Sequence, residues 1–173
     1  MDEAACLKFD VFLLMGMVCK EELKRNAIVR AGLTMDEAME IRESIRPKVQ
    51  FGPDQFANLA EILMVDVPAD EHPVLSYRSV LWPGLDFVVM GQEGCWKSAR
   101  FQRAEGEKHP ILVNPMSVPV WGCTLDEVAG SFSAVEVGDS MPPYEELLFT
   151  AADGKRYGAG FSWGLLQDIE RLA

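Results

Sequence analysis

The sequence predicts an α+β fold: a helical N-terminal third packed against an antiparallel or mixed β-sheet, closed by a short C-terminal helix. Three observations carry this. Apolar residues recur at helical spacing between charged ones as far as residue 64. From Val65 that period is lost, and short apolar runs are broken by Gly, Pro, Asp-Gly and Asn-Pro. After Ser162 a helical stripe returns, made of Leu165, Leu166, Ile169 and Leu172. A chain of 173 residues suits a single domain, with 1–64 its helical subregion and 65–173 mainly β. An apolar content of 49% supplies a core and excludes wholesale disorder.

The elements follow in order. Residues 3–19 read as a helix that is apolar on nearly all sides, which belongs in a core centre or in a homo-oligomer interface. Its leading charges, Asp2 and Glu3, do not fit the positive start of a secretory signal. The unbroken apolar run of Val11–Cys19 is also too short for a membrane span. Residues 20–31 read as a second, partly exposed helix or a kinked continuation of the first, with Leu23, Ala27, Ile28 and Ala31 inward, stopped at Gly32. Thr34-x-x-Glu37 opens a third helix through reciprocal capping, and it ends before Pro47. A fourth starts with Pro53 in its first turn and buries Phe56, Leu59, Ala60 and Leu63.

Strands are expected over 74–82, 86–90, 95–103, 111–113 and 132–137. Thr124-x-x-Glu127 opens a short helix between the last two. Leu147–Thr150 and Lys155–Phe161 flank Ala151-Ala152-Asp153-Gly154 as a hairpin, because Gly tolerates positive φ. Ser162 is the expected cap of the closing helix.

Charge narrows the function. There are 27 acidic and 16 basic residues, a net −11. Residues 1–65, 66–130 and 131–173 carry −3, −4 and −4, so the negative charge is spread through the chain. Phosphate backbones need Lys and Arg to displace counterions, so this balance disfavours nucleic acid; it equally disfavours an anionic membrane. The second and third helices could form a helix-turn-helix, but the reading helix would offer Asp36, Glu37 and Glu40 to phosphates. A protein partner with a basic surface fits better. Those three acids, with Trp82 and Trp121 beside turns, Trp96 in a strand candidate and Tyr144 at the end of a stiff Met141-Pro142-Pro143 loop, are the candidate contact residues.

Catalytic signals are sparse. Cys95 with His109 or His72, and Asp86 to orient the imidazole, is the available thiol-nucleophile arrangement. No spacing demands it. Cys6, Cys19, Cys95 and Cys123 lack the close pairs of a zinc site, and their scatter fits a reducing, cytoplasmic setting. Asp66, Asp70 and Glu71 read as a solvated loop before a hard-metal site. Gly91-Gln92-Glu93-Gly94 and Tyr157-Gly158-Ala159-Gly160 lack phosphate-loop spacing. No cofactor or metal is expected. The reading that results is a small acidic interaction protein: an inhibitor, an immunity factor or a regulatory subunit. A cysteine-centred enzyme and a small-molecule-binding module are the alternatives.

Overall fold

Four helices and a three-stranded sheet form in the first part of the chain, and a four-stranded sheet forms in the second. They are seen in a computed structural model that describes residues 2–173. The chain divides into two compact units. The first takes the residues up to Gly16 and Lys20–Ala99; the second takes Met17–Cys19 and Arg100–Ala173.

In the first unit, α1 (Glu3–Gly16) is buried on nearly every side, as its all-round apolar sequence requires. Phe9 sits at its centre, in ring contact with Tyr77, Phe87 and Trp96. Helices α2 (Glu21–Arg30), α3 (Met35–Ile45) and α4 (Gln55–Leu63) follow. The expected capping box is present at the start of α3: Thr34 Oγ1 accepts the Glu37 N–H at 3.2 Å, and Glu37 accepts the Thr34 N–H at 2.7 Å. Helix α4 begins two residues after Pro53 and buries the four predicted apolar residues. Strand β1 (Val74–Arg78) pairs antiparallel with β2 (Leu85–Gln92), and β3 (Cys95–Arg103) completes the sheet in the order β1-β2-β3. Between β2 and β3, Glu93 and Gly94 both have positive φ, at 51° and 79°. The weak glycine motif is thus a tight hairpin turn. Its Gly94 carbonyl accepts the Phe56 N–H at 2.8 Å, and a Cβ there would strike the Pro53 carbonyl.

In the second unit, α5 (Leu125–Ser131) precedes β4 (Ser133–Met141), β5 (Tyr144–Thr150), β6 (Arg156–Ser162) and β7 (Leu165–Arg171), which form an antiparallel sheet in sequence order. Leu147, Phe149, Ala159, Phe161 and Leu166 make its core with Cys123 and Val128. Phe149 is stacked between Phe132 and Tyr157.

Three expectations are corrected here. There are two sheets, where one was predicted. The closing element is strand β7, not a helix. Trp163 and Gly164 take φ of 55° and 70°, and Ser162 faces Leu165, which makes a two-residue hairpin turn. A register shift then follows: Phe161 faces Leu166 and Gly160 faces Asp168, so Gln167 is an extra residue. That bulge returns Leu166 and Ile169, three apart, to one face, and this imitates a helical stripe. Finally, 111–113 is not a strand. Pro110 and Pro115 flank it without N–H donors, and only Leu112 turns toward the core. Ile111 and Val113 stay 90% and 70% exposed. Among the described residues no helix is long and apolar enough to cross a membrane.

Candidate functional site

One charged constellation grows from the second capping box. Thr124 caps α5, and the Glu127 carboxylate accepts the Thr124 N–H at 2.8 Å. The same carboxylate accepts Arg103 Nε on Oε1 at 2.8 Å and Arg103 Nη2 on Oε2 at 2.9 Å. His109 Nδ1 adds a fourth contact, to Oε1 at 3.0 Å. The end of β3, the following loop and α5 are thereby tied to one side chain that is only 8% exposed. Burial pushes the Glu127 carboxyl up, but Arg103, the Thr124 N–H and His109 together hold it below the ordinary range. Beside it Cys123 is fully buried. Burial first, and then Glu127, push its thiol up to about 12, so it is not a thiolate nucleophile at neutral pH.

A second feature lies on the β4–β7 sheet. Leu147, Ala159 and Ile169 are register partners on the core side. Alternation therefore puts Glu146, Gly160 and Asp168 on the opposite side, together with Leu148, Gly158 and Glu170. Tyr144 lies over this side, its hydroxyl 3.2 Å from where a Gly160 Cβ would be. Its phenol is raised above the ordinary range by desolvation, and then by Glu146, Asp139, Asp168 and Glu170. Glu146 is held in place by accepting the Asp139 N–H at 3.2 Å.

The first unit contains a buried carboxylate that sequence reasoning missed. Asp10 in α1 has no exposed surface. It accepts the Tyr77 hydroxyl at 2.7 Å, the Ser79 hydroxyl at 2.9 Å, and the Val80 and Leu81 N–H groups at 2.7 and 3.0 Å. It organises the chain after β1, where Ser79 Oγ in turn accepts the Trp82 N–H. Burial outweighs these bonds and raises its carboxyl above the ordinary range. The signal available in the sequence was one acid inside a run of core residues.

The remaining predicted residues are placed as follows. Cys95 donates its thiol to the Gly52 carbonyl at 3.2 Å, and Asp86 pairs with Arg78 at 2.7 Å. His109 bonds Glu127, while His72 is exposed and its backbone N–H bonds Asp70. His109 belongs to the other unit, and no hydrogen bond joins Cys95 or Asp86 to His72 among the described residues. No group of three or more Asp, Glu, His or Cys suited to a metal occurs there either. Trp82 is 7% exposed and belongs to the core. Trp96 and Trp121 are half-buried, their ring N–H groups bonded to the Gln55 carbonyl and to Gln167 Oε1. Asp36, Glu37 and Glu40 are exposed on α3.

Comparisons with protein family models, with curated proteins and with solved structures found no match to this chain.

Proposed function

We propose that this chain is a small acidic protein that acts by binding another protein with a basic surface, as an inhibitor, immunity factor or regulatory subunit. The observation that carries the reading is the outward side of the β4–β7 sheet. There Glu146, Asp139, Asp168 and Glu170 lie close enough to act on the Tyr144 phenol. An aromatic ring among carboxylates suits an incoming guanidinium or ammonium, which gains ion pairing together with attraction to the ring face. The strands of this sheet carry six acids against Arg156 and Arg171, so a basic partner is steered toward it and phosphate is repelled.

Thiol chemistry is the weaker alternative. The Cys95 thiol is bonded to a carbonyl, with no base of its own unit hydrogen-bonded to it among the described residues, and the Cys123 thiol is protonated in its buried site. None of the four cysteines is in a disulfide, which supports a reducing, cytoplasmic setting.

The test is to recover a partner from the native extract, purify it, and titrate it with this chain at low and moderate salt. The reading expects a Kd of about 1 μM or tighter, weakened as salt screens the charges. A purified candidate that fails to bind even at low salt, with no other protein retained, would refute it.

A further inference from the structure

We propose that the hollow between the end of β3, the loop after it and α5 binds a compact oxyanion, a carboxylate or phosphoryl group, through Arg103 and His109. This site is separate from the acidic side of the sheet and does not rest on the reading given above. The hollow has a volume of about 460 Å³, and Gln102, Arg103, His109, Thr124 and Ser131 are among its lining.

The two acids of its lining, Glu127 and Asp126, are already committed, and Glu107 also acts on the Arg103 charge. Glu127 accepts four hydrogen bonds, and Asp126 pairs with Arg100 at 3.4 Å. Two neutral groups are also engaged: the Ser131 hydroxyl donates to the Glu127 carbonyl at 2.6 Å, and Thr124 Oγ1 accepts the Glu127 N–H.

What remains is donor capacity. Arg103 uses Nε and Nη2 on Glu127, with Nη2 also reaching the Gly122 carbonyl at 3.3 Å. Its Nη1 has no acceptor among the described residues. Among the described residues His109 bonds only through Nδ1, which must carry the proton when it faces an ionised carboxylate, so Nε2 stays available to a ligand. Arg103 Nε and His109 Nδ1 share Glu127 Oε1, at 2.8 and 3.0 Å. The two side chains are therefore neighbours, oriented by one buried carboxylate. An oxyanion in the hollow accepts from Arg103 Nη1 and, with the imidazole protonated, from His109 Nε2. Arg103, at 15% exposed, supplies a partly desolvated charge, whereas His109, at 74%, admits the ligand from solvent.

The chain has two histidines, so the experiment contains its own control. The full chain is titrated with sodium phosphate and, separately, with sodium acetate, against sodium chloride at equal ionic strength. The His109 and His72 ring signals and the Arg103 Nε–H are followed by NMR. The expected result is a saturable shift at His109 and Arg103, with a Kd of about 1 mM or tighter, while His72 follows ionic strength alone. Tighter phosphate binding assigns a phosphoryl ligand; tighter acetate binding assigns a carboxylate. His109→Gln, at an exposed loop position, should weaken binding about tenfold when read at Arg103, the loss expected for one charged hydrogen bond. Shifts that never saturate, that His72 shares, or that survive His109→Gln unchanged would overturn the proposal.

Discussion

Asp10 and Glu127 are both buried carboxylates, yet they answer acid in opposite senses. The Glu127 carboxyl lies below its ordinary range, because Arg103, the Thr124 N–H and His109 favour the ionised form. Its stabilising contribution is present above the unfolded value of about 4.3 and is lost as pH falls through the lower folded value. The stability difference between wild type and Glu127→Gln should therefore be about 2 kcal/mol at neutral pH and shrink toward zero in acid. Urea unfolding across that range checks it, and a difference that grows in acid would reverse the sign. Asp10 is raised by burial, so its contribution is present at low pH and declines as pH rises through its folded value. It nonetheless holds four donors in place. Asp10→Ala should cost about 3 kcal/mol, against about 1 for Tyr77→Phe, because two backbone N–H groups are left without their acceptor. Equal losses in the two variants would mean that only the phenol bond matters. At this scale the sequence was half legible. Thr124-x-x-Glu127 announced its cap, but not the arginine arriving from β3. Asp10 gave no pattern, because its partners lie 67 to 71 residues away.

Among the elements, helices were read more surely than the chain's end. The α3 and α4 stripes and both capping boxes are local, set within one or two turns, so the sequence displays them directly. The β6–β7 hairpin is different. Its turn places Trp163, a non-glycine residue, at positive φ, and its bulge disguises strand spacing as helical spacing. The hydrogen bonds that decide the matter come from distant chain: Leu125 N–H to the Gly164 carbonyl at 2.9 Å, and Phe101 N–H to the Trp163 carbonyl at 2.8 Å. Gly164 has φ of 70°, and a Cβ there would meet Arg100 Cβ at 3.0 Å. Gly164→Ala should cost about 1–2 kcal/mol from the left-handed backbone. A helical C-terminus would tolerate alanine there without loss, so thermal unfolding of this variant separates the two descriptions.

For the whole molecule, the charge balance carried its meaning at long range. A net −11 spread over the chain says nothing of where acids converge. Strand register decides that, by setting Glu146 beside Asp168 across Gly160. Tyr144, singled out for its stiff proline loop, stands among those acids. Trp82, singled out for lying beside a turn, is part of the core. Asp36, Glu37 and Glu40 offer a competing acidic surface on α3. The most direct measurement is the affinity of the purified partner for wild type, for Asp168→Lys/Glu170→Lys, and for Asp36→Lys/Glu40→Lys. The account predicts at least about a tenfold loss, with a shallower salt dependence, for the sheet pair, and little change for the helix pair. Full affinity in the sheet pair would contradict it.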